Sequence, residues 1–170
     1  VTAVGNLNAA RIFITPALII IPVVVQLSMP RLSSLRENNR LDLFKKGKII
    51  TWMFFFISIG YSIVLLLSYN SISNYFLNKS YENLFPLVFL WCLYALSLAI
   101  RNGKLLITQV LQKFKKLSFI YIISSVVTLT FSYFLAILWN LNGVIIGLII
   151  GEIVIIFMLF ILLQKEKINI

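Results

Sequence analysis

Histidine is absent from this 170-residue chain, cysteine occurs once, and only five residues are acidic. Metal centres, disulfides and Cys/His nucleophile chemistry therefore have almost no raw material, and no cofactor is expected. The lone Cys92 lies in an apolar stretch and reads as a small buried hydrophobe. Charge of either sign is scarce: 12% of residues are charged and 61% are hydrophobic, with a mean hydropathy of +1.00. A soluble domain is ordinarily about one quarter charged, so lipid rather than a packed core must cover most of this surface.

What charge there is leans to one sign, with fifteen Lys and Arg and a net charge of +10. In a soluble protein that balance would suggest nucleic acid. Here the basic residues cluster at the ends of apolar runs, which marks membrane orientation and argues against a nucleic-acid partner. The opening residues show no basic n-region and no small-residue cleavage site, so no secretory signal peptide is expected at this start. The first residue is Val1 rather than Met, so the chain is expected to be a fragment of a longer protein.

No residue from Leu117 to Gly151 is charged, and the only break in that run is Trp139-Asn140-Leu141-Asn142-Gly143. A bilayer core about 30 Å thick takes roughly 20 apolar helical residues to cross, so this stretch reads as two spans joined by a tight turn. Other uncharged stretches run from Ile12 to Pro30, Ile49 to Asn78 and Asn83 to Ile100. The expected fold is an all-α integral membrane protein of five transmembrane helices, approximately 7–31, 47–70, 84–112, 117–139 and 143–164. Asn83 is a candidate cap for the third, with Pro86 in its first turn, where a missing N–H costs nothing.

The connection after the first helix holds Arg31, Arg36, Arg40, Lys45, Lys46 and Lys48 against Glu37 and Asp42, whereas the next holds only Lys79 and Glu82. The third carries Lys113, Lys115 and Lys116, the fourth none, and the tail Lys165 and Lys167 with Glu166. By the positive-inside rule the basic connections, including a loop over 32–46, are expected to be cytoplasmic. The C-terminus is then cytoplasmic and the start of the segment extracytoplasmic. Tyr69, Tyr75, Phe76, Tyr81 and Trp139 fall where the outer headgroups would lie, and Trp52 near the inner ones. Leu32, Leu35, Leu41 and Phe44 stand among the charges of 31–48, which leaves open an amphipathic helix on the inner surface or a solvated basic loop.

Several residues stand out against this apolar background. Gly143, Gly147 and Gly151 recur every fourth position and let a neighbouring backbone approach, as a static packing stripe or a sliding surface. Pro16 and Pro22 lie inside the first span and Pro30 at its inner end, where they remove backbone donors and bend the helix. Such bends serve transporters, and Pro is also simply better tolerated in membrane helices than in soluble ones. Glu152 sits close to the midplane of the last span, where an ionised carboxylate costs about 2.5–3.5 kcal/mol. It should face protein or water, or stay protonated. Arg101 and Lys104 are three apart in the inner half of the third helix, and Arg11 opens the first. The two basic residues of the third helix either line a cavity or snorkel to the inner headgroups.

The order and spacing of four local patterns resemble the C-terminal part of the bacterial polysaccharide flippases, within the multidrug/oligosaccharidyl-lipid/polysaccharide exporter superfamily. They are Val4-Gly5-Asn6-Leu7-Asn8-Ala9-Ala10-Arg11 before a Pro-bearing span, and Met29-Pro30-Arg31-Leu32-Ser33 at its end. The other two are the basic turn Gln109-Val110-Leu111-Gln112-Lys113-Phe114-Lys115-Lys116 and the helix entry Leu141-Asn142-Gly143 with Gly147. The resemblance implies two six-helix lobes around a central cavity, of which this chain is most of the C-terminal one. It implies no enzyme activity but transport across the bacterial plasma membrane of an oligosaccharide linked to undecaprenyl diphosphate, for surface polysaccharide such as O-antigen or capsule. Membrane lipids would be the surrounding partners, and alternating access would be coupled to a proton or sodium ion.

If the chain transports such a substrate, the substrate-cavity candidates, chosen for their charge within or beside apolar spans and matching no binding motif of the family, are Arg101, Lys104, Glu152 and Arg11, with Arg101 on the anionic diphosphate or sugar and Glu152 on the coupling ion. Three alternatives remain open, one of them a non-transporting scaffold subunit. A multidrug and toxin extrusion exporter would want several buried carboxylates, and this stretch offers Glu152 alone. An integral-membrane enzyme of lipid-linked sugars would want catalytic groups in an external loop, and the outer connections hold one acid, Glu82.

Overall fold

The computed structural model describes residues 2–76 and 84–168. Among them are four α-helices: α1 (Thr2–Asn38), α2 (Arg40–Phe76), α3 (Phe85–Val110) and α4 (Phe114–Ile168). All four are long and apolar enough to cross a membrane. The headgroup roles expected of Lys79, Tyr81 and Glu82, the cap at Asn83, and the side chains of Tyr75 and Phe76 lie outside what is described. The residue before α3 is Leu84, which caps without a side-chain hydrogen bond, and Pro86 falls within the first turn as its missing N–H allows.

The count of helices differs from the expected five because α4 takes up both the fourth and the fifth expected span. At 55 residues α4 would run about 80 Å if straight, far more than one crossing needs. It departs from helical geometry at Trp139 (φ −126°, ψ 20°) and Asn140 (φ 48°, ψ −129°). Asn tolerates a positive φ better than other side-chain-bearing residues, which suits it to this corner. The two arms, 114–138 and 141–168, lie against one another: the Ser124 hydroxyl donates to the Gly151 carbonyl at 3.0 Å, and Ser132 to Val144 at 3.4 Å. The glycine stripe forms this seam. A Cβ on Gly143 would strike the Leu135 backbone, on Gly147 the Ser132 backbone, and on Gly151 the Thr128 side chain.

A second difference concerns the expected basic loop over 32–46, which is helical. α1 continues to Asn38 and α2 starts at Arg40, so Asn39 alone separates them. Asn39 caps α2 reciprocally: the Asp42 N–H donates to Asn39 Oδ1 at 3.2 Å, and Asn39 Nδ2 donates to the Asp42 carboxylate at 2.9 Å. Leu32 and Leu43, interspersed among the charges, are buried against Leu106, Ile107 and Val110 of α3. Burial of these leucines is what carries helix through a stretch whose charge density reads as loop.

α3 is the central element and packs on the other three. Its small residues Ala95, Ala99 and Gly103 recur every fourth position and are buried; a Cβ on Gly103 would overlap Thr51 of α2. Side chains facing away from these seams are apolar and exposed, among them Leu27, Leu67 and Leu129, as expected of a surface bathed in lipid. One end of the bundle gathers Arg36, whose guanidinium donates to the Val110 carbonyl, and a cluster in which Lys113 and Lys116 bind Glu166 at 3.0 and 3.1 Å. The opposite end carries the Tyr69–Phe85 and Phe13–Tyr69 ring contacts and the exposed Trp139.

Candidate functional site

A cavity of about 340 Å³ opens between α1, α3 and the second arm of α4. α1 contributes Arg11, Leu18, Ile21 and Pro22, spaced so that they line one side of the helix. Pro22 has no N–H to donate to the Leu18 carbonyl, so a backbone acceptor is freed where both residues border the cavity. α1 nevertheless runs unbroken through Pro16, Pro22 and Pro30. Of these three only Pro22 lines the cavity; Pro16 and Pro30 are exposed elsewhere on the helix.

From α3 the cavity receives Trp91, Tyr94, Leu98, Arg101 and Asn102, the side that α2 leaves free. The Arg11 guanidinium stands 6.0 Å from the Trp91 ring centroid, within reach of a cation–π attraction that holds it over the cavity mouth. Deeper in, Arg101 Nη1 donates to Glu152 Oε1 at 2.8 Å, with the Glu152 side chain only 8% exposed. The pair ties α3 to the second arm of α4, and each charge supplies the counter-ion that makes the other tolerable at that depth. Tyr94 stands within electrostatic reach of Arg11, Arg101 and Glu152, and Tyr121 of the latter two.

Three buried polar atoms around this cavity have no hydrogen-bond partner: Trp91 Nε1, Arg101 Nε and Glu152 Oε2. Two of them are donors on lining residues. A buried donor without an acceptor costs about 1–3 kcal/mol, more when charged, so the site is poised to accept a group rich in acceptor oxygens. Among the described residues two arginines stand here against one acid, Glu152, which is paired with Arg101, so the net positive charge sets the sign of that group as negative.

No family model, curated protein or solved structure matches this chain.

Of the four cavity candidates taken from the sequence, Arg11 and Arg101 share the cavity and Glu152 stands behind Arg101 as its partner. Lys104 does not join them. Its amine lies 4.8 Å from the Phe160 ring, and it lines a different concavity on the α2 side. Three apart on a helix is about 300° of rotation, enough for two residues of one broad face to border different seams. Sequence reasoning passed over Trp91, Tyr94 and Asn102 as lining residues. Asn102 had a signal, a polar side chain beside Arg101 in a hydrophobic span; the aromatic pair did not, because such residues are ordinary in any span.

Proposed function

We propose that this chain is most of one lobe of a flippase that carries a lipid-linked oligosaccharide across the bacterial plasma membrane by alternating access. In this reading α1 to α3 and the two arms of α4 make five crossings, and the basic connections lie in the cytoplasm. The oligosaccharide rides on an undecaprenyl-diphosphate-type carrier. The observation that carries the proposal is the arginine-lined cavity with its unpartnered donors. A diphosphate supplies many acceptor oxygens and two or more negative charges, which Arg11, Arg101 and the Trp91 indole are placed to receive. The cavity is too small for a whole oligosaccharide, as half of a two-lobed chamber would be.

Glu152 provides the coupling group. When a substrate oxyanion competes for Arg101, the carboxylate loses its partner and takes up a proton or a sodium ion, so ion and substrate bind together, and loss of the ion returns Glu152 to Arg101 and favours substrate release. A cation exporter fits less well, since the one buried carboxylate near the cavity is neutralised by Arg101.

The proposal is tested by exchanging the partners. Arg101→Ala should lower export at least about tenfold, the cost of losing one hydrogen-bonded charge, but it also strands Glu152. The exchange R101E/E152R keeps the pair while moving the positive charge off α3. It should insert at wild-type levels and still fail to export. Normal export by that variant would show that the arginine serves packing alone.

A further inference from the structure

A second concavity, of about 840 Å³, lies on the other side of α3, between α2 and the second arm of α4. Its walls are apolar and aromatic, with Trp52, Phe55 and Phe160 prominent, and three lysines border it: Lys48, Lys104 and Lys167. α2, α3 and α4 supply one each. No acidic residue lines the groove, and none of the three lysines has an acidic partner among the described residues. Lys104 is half-buried, held over the Phe160 ring at 4.8 Å. The acids nearest in sequence are committed elsewhere, Asp42 to Asn39 and Lys45, Glu166 to Lys113 and Lys116.

Three like charges converging on one apolar groove repel one another and pay for partial desolvation, so an anion between them would relieve both. The groove's position selects which anion. It belongs to the basic end of the bundle, where Trp52 and Phe160 are exposed toward the surroundings that the rest of the surface marks as lipid. A soluble polyanion would have no use for the aromatic wall. A neutral lipid would have none for the lysines.

We propose that the groove is a resident site for one anionic phospholipid of the leaflet at the basic end. Its phosphodiester is held by Lys48, Lys104 and Lys167, and an acyl chain lies along Trp52, Phe55 and Phe160. Polybasic clusters at a membrane edge recognise anionic headgroups on the same physical grounds. The site is separate from the arginine-lined cavity and does not depend on what that cavity carries.

Trp52 provides the readout. In the protein reconstituted into vesicles, variants in which Trp52 or Trp139 is the sole tryptophan are titrated with brominated phosphatidylglycerol or brominated phosphatidylcholine, whose bromines quench a neighbouring indole. Trp52 should favour the anionic lipid by roughly tenfold and Trp139, at the opposite end, by little. The triple change K48Q/K104Q/K167Q should bring the Trp52 preference close to one. A control with the same charge loss outside the groove, K46Q/K115Q/K165Q, should keep most of it. Equal quenching of Trp52 by both lipids would overturn the proposal, and so would equal loss in both triple variants, which would mean surface attraction alone. Failure of either lipid to quench Trp52 would overturn it too, since protein, from a second copy or another segment, would then cover the groove.

Discussion

Arg101 and Glu152 are two charges that a bilayer interior penalises singly, and the structure sets them 2.8 Å apart. Both were legible as exceptions in the sequence because each interrupts an apolar run. Their partnership was not, because it depends on the seam between α3 and the second arm of α4, which no local pattern encodes. Lys104 shows the same limit from the other side: grouped with Arg101 by spacing, it points to a different groove. Gln112 carries a residue-scale prediction. It follows the last turn of α3 with φ 57°, its N–H donating to the Gln109 carbonyl and that of Lys113 to Thr108, the pattern of a Schellman cap with a side chain where Gly is preferred. Gln112→Gly should raise stability by about 1 kcal/mol, read as a higher unfolding midpoint in detergent micelles, because it removes the left-handed penalty. A lower midpoint would mean that the Gln side chain contributes more than its backbone costs.

At the scale of elements, α4 turns on its glycines. The stripe at Gly143, Gly147 and Gly151 was visible in the sequence as a packing signal, while its counterpart Ser124, Thr128, Ser132 and Ala136, also repeating every fourth position, was overlooked. Hydroxyls in an apolar run read as incidental until their partners, the Gly151 and Val144 carbonyls, are seen. Gly147→Ile should therefore part the arms, costing about 1–3 kcal/mol and lowering the unfolding midpoint, whereas the same change at Gly60, where a Cβ would meet nothing, should cost far less. Comparable losses at both positions would show that helix propensity outweighs packing. The basic connection belongs to this scale as well. Leu32, Leu35, Leu41 and Phe44 among its charges left helix and solvated loop both open, and the structure has helix: Leu32 and Leu43 are among the most buried of the described residues and hold two helix ends on α3.

For the whole molecule, the helices alternate in direction and bring the basic connections to one end, the arrangement that the positive-inside rule requires of a single orientation. With Asn39 on the basic end and Asn140 on the other, a cysteine at position 140 should react with a membrane-impermeant maleimide in intact cells, and one at position 39 only after the membrane is opened. Cys92 is buried and should give little background. Labelling of both positions from the same side would refute the alternation. The central claim is that the arginine-lined cavity serves export of an anionic lipid-linked sugar, and complementation tests it most directly. The intact reading frame containing this segment is expressed in a flippase-null bacterium with its cognate glycan, and the lipid-linked oligosaccharide held inside is measured beside surface polysaccharide. Restored surface polysaccharide with depletion of the inner pool is the expected result; properly inserted protein that leaves the pool inside would contradict it.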